Sequence, residues 1–313
     1  MKNLIRTIIN NKDALNQSGG KNVLFEINEE ERQKLQAALL EMYCDIYEVC
    51  KKHKLTLFLC GGSALGAVRH HGFIPWDDDL DTAMTREDYS KFVAMFQNEL
   101  SEKYELVAPN YQRTARSRFP KVLKKGTLFR EATDCSSDPQ HCGIFIDIFL
   151  IENVPENRLV RKIQGNYCNL LEFIGGKVSI YENRCDKLKE LYDKVSPRSY
   201  AVNLAIGKIF SFIKSELWYN HIDRVVRCKD EHSTECSLPT GRKHYFGEIL
   251  PRSTFFPGQQ VYFAGREAMV FEDVDYYLRN LYGDYMIVPE PDKRESHFIV
   301  EMDLNYSSKE LKD

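Results

Sequence analysis

The sequence lacks a charge excess of either sign. It contains 43 lysine and arginine residues against 46 aspartate and glutamate residues, with a net charge of −3 and a pI near 6.3. Dedicated nucleic-acid-binding proteins usually carry a marked basic excess, because much of their affinity comes from neutralising phosphates. The charge balance therefore argues against nucleic acid as a partner.

Long apolar runs are also missing. No segment approaches the roughly 20 apolar residues of a membrane-spanning helix, and the N-terminal sequence MKNLIRTIINNKDALNQSGG lacks the apolar region of a secretory signal. With 43% hydrophobic residues the chain can still bury a sizeable core. We therefore expect a cytoplasmic protein whose closest approach to a bilayer is a peripheral contact with the inner membrane face.

Paired cysteine motifs are absent as well. The nine cysteines form no CxxC pair, and their odd number and irregular spacing do not resemble a disulfide framework. We expect mostly free, buried thiols in a reducing compartment.

The order of predicted elements indicates an α/β (α+β) fold. Asn28 and Glu31 form a capping box for a first helix that ends near His53. A short apolar strand, a glycine turn, a short helix and an acidic strand follow; the predicted strands cover residues 55–60, 79–84, 104–108, 118–123, 127–130 and 143–150. Thr85 caps a helix between the second and third of these strands.

The second half of the chain differs in pattern. From residue 155 to about 228 it is largely helical, and residues 275–282 predict a short helix stopped by Gly283. We therefore predict a catalytic core over residues 23–154, with a mixed sheet flanked by helices, and a mostly helical C-terminal subdomain over residues 155–313.

Four carboxylates lie within five residues, at Asp77, Asp78, Asp79 and Asp81. They repel one another unless water or a cation screens them. In a strand, Asp79 and Asp81 would share one face and offer oxygen ligands to Mg²⁺. The alternative is a solvated acidic turn.

Two glycines precede this cluster. Gly61, Gly62 and Ser63 lie between an apolar strand and the start of a helix. Glycine permits close backbone approach, and free amides at a helix N-terminus favour phosphate. An ordinary tight turn is the alternative, but together with the acidic strand the pattern predicts a site for phosphate and metal.

A third carboxylate, Asp147, lies inside an apolar strand. A buried carboxylate needs a cation or a hydrogen-bond donor. Asp147 could complete a metal site with Asp79 and Asp81 and accept the proton of an attacking hydroxyl. The alternative is a structural aspartate that caps a neighbouring element.

A basic stretch could neutralise a diphosphate. No acid lies between Val107 and Arg130, while the stretch carries Arg113, Arg116, Arg118, Lys121, Lys124, Lys125 and Arg130. Lys121 is the favoured substrate-binding member because it lies within a predicted strand. A solvated basic hairpin is the alternative.

Three segments carry longer motifs. They are GGSALGAVRHHGFIPWDDDLD at residues 61–81, GIFIDIF at residues 143–149, and YLRNLYGDYM at residues 277–286 followed by Pro289. Together they resemble the LicD family. The resemblance implies a nucleotidyltransferase-like fold of the DNA polymerase β type.

The resemblance also implies roles for individual residues. It assigns Gly61, Gly62 and Ser63 to the donor phosphates, and Asp79, Asp81 and Asp147 to catalysis and to one or two Mg²⁺ ions, with Mn²⁺ as an alternative. Arg69, within the family's own insert, is expected on phosphate. Arg294 and His297 follow the C-terminal motif and are expected to bind substrate if that segment folds back on the donor; a solvated tail is the alternative. Cys135, His141 and Cys142 resemble a zinc-bearing loop of some relatives, but three ligands fall short of the usual four.

The implied reaction is phospho-alcohol transfer. LicD-type members are associated with transfer of phosphocholine from CDP-choline to sugars of teichoic acid or lipopolysaccharide, and the related fukutin group uses CDP-ribitol. We expect a CDP-alcohol donor, with CDP-choline favoured, a carbohydrate or lipid-linked glycan acceptor, and release of CMP. Two alternatives remain: a nucleotidyltransferase that releases pyrophosphate, and a nucleotide-binding pseudoenzyme.

Overall fold

The computed structural model describes residues 27–111, 117–131, 142–228, 230, 233–294 and 299–306. Its helices are α1 Glu29–Lys52, α2 Gly61–His70, α3 Arg86–Glu99, α4 Arg158–Glu182, α5 Asp186–Val195, α6 Pro197–Phe210, α7 Ser215–Val225, α8 His244–Gly247, α9 Arg252–Phe255 and α10 Val274–Tyr282. Its strands are β1 Phe58–Leu59, β2 Asp81–Thr85, β3 Tyr104–Val107, β4 Lys121–Lys124, β5 Leu128–Glu131, β6 Phe145–Asn153, β7 Glu235–Ser237, β8 Leu250–Pro251, β9 Gln259–Phe263, β10 Arg266–Val270 and β11 Ile299–Asp303.

One mixed sheet forms the centre of the fold. Its strands run in the order β3-β4-β6-β2-β1-β10-β9, and β7 and β8 continue from β6. The pairs β2–β6 and β1–β10 are parallel, whereas β1–β2, β4–β6, β3–β4 and β9–β10 are antiparallel. Strands β5 and β11 form a separate two-stranded sheet. The prediction of an α/β fold with a mixed sheet flanked by helices is confirmed.

Helix α1 begins as its sequence predicts. The Asn28 side chain accepts a hydrogen bond from the Glu31 amide, and the Glu31 carboxylate accepts one from the Asn28 amide. The helix ends at a cap residue, His53. Its buried side chains join the large core beneath the sheet: Leu35, Leu39, Met42, Tyr43, Ile46 and Cys50.

The acidic strand begins later than its sequence suggests. Strand β2 starts at Asp81, so the prediction that it includes Asp79 is wrong. The preceding loop turns instead, because the Asp77 amide donates to the Ile74 carbonyl at 2.9 Å. The predicted Thr85 cap is confirmed, since its side chain accepts from the Asp88 amide.

The chain after residue 155 contributes both helices and strands. Helices α4 and α7 pack around a small core of Cys168, Leu171, Tyr219, Ile222, Val226 and Tyr245. Strands β9 and β10, from the same half, extend the central sheet beside β1. The central sheet therefore uses strands from both sides of residue 154, and the division of the chain there stays a prediction.

Most described cysteines carry free thiols. Cys44, Cys50, Cys60, Cys168, Cys228 and Cys236 are free, and Cys142 likewise belongs to no disulfide. Cys185 is disulfide-bonded, so the expectation of free thiols fails at this residue. Among the helices of the described residues, none combines the length and the hydropathy needed to cross a bilayer.

Candidate functional site

The acidic loop before β2 concentrates negative charge. Within the described residues, one group of acids, Asp77, Asp78 and Asp79, brings its ligand atoms within 4.8 Å of one another. Asp78 is only 4% exposed. Such crowding is unfavourable without compensation, because like charges repel strongly where water is limited.

Helix α1 holds this loop in place. The Arg32 guanidinium donates to the Trp76 carbonyl at 2.8 Å, and the Gln36 amide group donates to the Asp77 carbonyl at 2.9 Å. Because the backbone is held from outside, the carboxylates can stay close together.

The glycine turn lies directly against the acids. Gly61 has φ +52°, and a Cβ added there would lie 2.6 Å from Oδ2 of Asp81. A Cβ on Gly62 would lie 3.2 Å from Oδ2 of Asp77. The Ser63 hydroxyl accepts a hydrogen bond from the Asp81 amide at 2.8 Å. The structure therefore places Asp81, one of the predicted metal ligands, directly beside the predicted phosphate turn.

Strand pairing brings Asp147 to the same place. Asp81 on β2 and Asp147 on β6 are register partners of two parallel strands. Asp147 is 7% exposed, and Lys121, its register partner on β4, places Nζ 3.1 Å from Asp147 Oδ1. Lys121 Nζ also lies 3.4 Å from the centroid of the Phe145 ring.

Burial changes the acidity of Asp147. It raises the pKa of this carboxyl to about 6, while Lys121 opposes the rise and the charge of Asp79 adds to it. The influence of Asp79 shows that the acidic loop and the middle of β6 interact electrostatically. Asp147 is therefore more basic than an ordinary aspartate.

The donor chemistry fits a hard divalent cation. Asp79, Asp81 and Asp147 offer carboxylate oxygens, the ligands that Mg²⁺ prefers. The absence of a Cβ at Gly61 leaves the Asp81 carboxylate room beside the turn. The acidic run is visible in the sequence, but strand alternation favoured Asp79 and Asp81 as ligands and gave no role to Asp77 or Asp78. That alternation does not apply to Asp79, which lies outside β2.

Tyr277 is a site residue that sequence analysis missed. The Gly61 amide donates to the Tyr277 hydroxyl at 3.0 Å, and Tyr277 is 1% exposed. Burial raises the pKa of Tyr277 well above its ordinary value, so the hydroxyl stays neutral. Its position in the C-terminal motif was the available signal. The motif supports the glycine turn through this hydrogen bond.

Arg69 has a backbone partner in the structure. Its guanidinium donates to the Tyr285 carbonyl at 2.6 Å and to the Ile287 carbonyl at 3.4 Å. Arg69 therefore ties α2 to the segment after α10. Its expected contact with phosphate stays a prediction.

The C-terminal segment returns to the acidic loop. The Arg294 guanidinium carbon lies 4.1 Å from the centroid of the Trp76 ring, immediately before Asp77. Its Nε donates to the Pro289 carbonyl at 3.3 Å. Arg294 therefore lies beside the acidic loop, while its expected contact with the donor stays a prediction and His297 lies outside the described residues.

The basic stretch is largely paired within the protein. Arg118 contacts Glu172, Lys124 contacts Glu41, and Arg130 contacts Glu301. These three members therefore neutralise acids of the protein itself, and their contact with a donor diphosphate stays a prediction. Arg113 and Arg116 lie outside the described residues, as do Cys135 and His141 of the zinc hypothesis. The remaining member of that hypothesis, Cys142, is buried and belongs to no disulfide.

The chain matches known proteins over this region. Residues 54–159 match the family model described as LicD/FKTN/FKRP, nucleotidyltransferase domain. The chain is 25% identical over 274 residues to the lipopolysaccharide cholinephosphotransferase LicD of Haemophilus influenzae. The aligned region covers 85% of this chain and 95% of that protein.

Shorter similarities involve two rickettsial proteins. An uncharacterized protein of Rickettsia typhi is 38% identical over 60 residues, 19% of each chain. An uncharacterized protein of Rickettsia prowazekii is 41% identical over 51 residues, 16% of this chain and 19% of its own length. The family-model match and the similarity to the H. influenzae protein confirm the resemblance to the LicD family.

Proposed function

From its LicD-family domain at residues 54–159, we propose that this chain is a phosphocholine transferase. It moves phosphocholine, or a similar phospho-alcohol, from a CDP-activated donor to a sugar hydroxyl of a cell-surface glycan precursor and releases CMP. Lipopolysaccharide is the favoured acceptor, because the H. influenzae relative is named for it, with teichoic acid as the alternative. The core is proposed to be of the nucleotidyltransferase type.

One observation supports the proposal above all others. The start of α2 and the carboxylates of β2 and β6 lie side by side, with a Cβ at Gly61 excluded by Asp81 at 2.6 Å. A helix N-terminus favours phosphate, and clustered carboxylates favour a divalent cation. Transfer from a diphosphate donor with the help of a divalent cation would require both features in one place.

Asp79, Asp81 and Asp147 would hold the ion, with Mn²⁺ as an alternative. Bound there, it would supply charge stabilisation for the departing CMP. Gly62 and Ser63 lie in the first turn of α2, at the positive end of its helix dipole, where the donor phosphates would bind.

Asp147 is the proposed base. Without a bound ion its pKa is raised by burial to about 6, so it is ionised at neutral pH and is a better proton acceptor than an ordinary aspartate. Lys121, at 3.1 Å, fixes the orientation of the carboxylate. Asp147 would thus orient the sugar hydroxyl and take its proton as the oxygen attacks phosphorus.

The test is CMP release from CDP-choline in the presence of Mg²⁺ and lipopolysaccharide. We predict that Asp81→Asn lowers the rate by about a thousandfold while its circular dichroism spectrum matches that of the wild type. Retained activity in Asp81→Asn would show that the metal assignment is wrong.

The same assay separates the alternatives. Release of pyrophosphate from CTP, with no CMP from CDP-choline, would identify a nucleotidyltransferase. Calorimetric binding of CDP-choline without Mg²⁺ and without turnover would identify a pseudoenzyme.

A further inference from the structure

Helix α4 exposes an apolar stripe outside the site. Leu159, Ile163, Tyr167 and Leu170 follow one another at helical spacing. Leu159 is 67% exposed and Ile163 is 62% exposed. Single exposed apolar side chains are ordinary, but a contiguous stripe indicates an interaction surface.

The stripe continues onto α7 and the turn before it. The Tyr167 hydroxyl lies 2.9 Å from Nε2 of His221, and Leu217 lies one helical turn before His221. Phe212, in the turn between α6 and α7, is 77% exposed. We call these side chains the α4–α7 apolar face: Leu159, Ile163, Tyr167, Leu170, Phe212 and Leu217.

The backbone beneath this face is firmly held. The Gln164 amide group donates to the Val225 carbonyl at 2.6 Å, which joins α4 to α7. The Trp218 indole donates to the Ile213 carbonyl at 3.2 Å, and the Phe210 ring lies 6.3 Å from the Trp218 ring. The exposure of Phe212 is therefore a feature of a packed turn.

The chain segments that carry the face are rich in basic residues. Residues 158–171 contain Arg158, Arg161 and Lys162 and no acid. Residues 194–215 contain Lys194, Arg198, Lys208 and Lys214, again without an acid. Exposed lysines beside exposed apolar and aromatic side chains complement anionic lipid headgroups.

We propose that the α4–α7 apolar face rests on an anionic phospholipid bilayer. Its apolar side chains enter the boundary between headgroups and acyl chains, and Lys162, Lys208 and Lys214 contact lipid phosphates. The contact is peripheral, because within the described residues no helix is able to span the bilayer. This inference stands independently of the reaction proposed above.

Vesicle sedimentation tests it with the full chain. Vesicles contain phosphatidylglycerol and phosphatidylethanolamine in equal amounts, or phosphatidylcholine alone. We expect binding to the anionic vesicles that weakens as salt is added. Phe212→Ser should lower the partition coefficient by about tenfold, and the double variant Lys208→Glu/Lys214→Glu by at least roughly tenfold.

Tyr262→Ser is the matched control. Tyr262 is a 66% exposed aromatic side chain on β9, outside the face, and its loss should leave vesicle binding unchanged. Melting curves of all variants establish that they remain folded. Failure of the wild type to sediment with anionic vesicles, or equal binding by Phe212→Ser, would overturn the proposal.

A second copy of the chain is the competing occupant. Sedimentation velocity without lipid distinguishes it: a wild-type dimer that Phe212→Ser converts to monomers would make the face a self-interface and refute the bilayer contact. A monomeric wild type that binds vesicles supports the contact.

Discussion

Gly61 combines a left-handed backbone with close contact to the site. Its φ is +52°, and an added Cβ would lie 2.6 Å from the Asp81 carboxylate. Gly265, in the turn between β9 and β10, has φ +76°, but a Cβ there would meet nothing within 4 Å. Alanine substitutions at the two glycines therefore distinguish the effect of backbone strain from the effect of displacing the Asp81 carboxylate.

We predict that Gly61→Ala and Gly265→Ala each lower the free energy of unfolding by about 1–2 kcal/mol, because alanine is strained in this region. Only Gly61→Ala should also lower turnover, by about a hundredfold, because Asp81 must move. Urea denaturation and CMP release measure the two effects. Equal turnover in both variants would show that the position of Asp81 is not critical.

The Lys121–Asp147 pair supports a prediction about pH. Burial already raises the Asp147 pKa to about 6, and loss of the lysine would raise it further. A carboxyl whose folded pKa exceeds its unfolded value destabilises the protein as pH rises between the two values. Without Lys121, that loss extends to higher pH.

We expect Lys121→Met to lower the free energy of unfolding by about 3 kcal/mol at pH 8 and by less at pH 5, where Asp147 is protonated. Chemical denaturation with EDTA present excludes any contribution of metal. The double variant Lys121→Met/Asp147→Asn should recover part of the loss at pH 8. A loss that does not depend on pH would indicate that Lys121 acts through packing on Phe145 instead.

At the scale of elements, α10 supports the glycine turn of α2. The connection is one hydrogen bond, from the Gly61 amide to the Tyr277 hydroxyl at 3.0 Å. Tyr276, the preceding residue, is 49% exposed and offers a matched control. Removal of the Tyr277 hydroxyl leaves the amide without its acceptor in a part-buried place.

Tyr277→Phe should therefore cost about 1 kcal/mol of unfolding free energy and reduce turnover, whereas Tyr276→Phe should change neither. Thermal melts and CMP release provide the comparison. If both variants matched the wild type, α10 would have no part in holding the turn.

Local signals predicted the elements well. The capping box of Asn28, the Thr85 cap and the stop at Gly283 are all confirmed, because each depends on residues within one helical turn. The predicted start of β2 at Asp79 was wrong, since the strand begins at Asp81. The hydrogen bond from the Asp77 amide to the Ile74 carbonyl turns the chain just before this point.

At the scale of the whole molecule, the features that the sequence did not predict are contacts between residues far apart in the chain. Strand β10 pairs with β1 in parallel, with Phe58 opposite Met269, and no local pattern indicates this partner. The contact of Arg294 with Trp76 likewise joins distant segments. The carboxylates of the site were predictable from composition and spacing, whereas Tyr277 and the backbone partners of Arg69 depend on such pairing.

The most direct test of the central claim is Mn²⁺ binding, followed by electron paramagnetic resonance in the presence of CDP-choline. We predict that the wild type binds Mn²⁺ and that Asp79→Asn weakens binding by at least about tenfold. Asp303→Asn, an exposed aspartate on β11, should bind as the wild type does. Wild-type affinity in Asp79→Asn would contradict a cation site at these carboxylates.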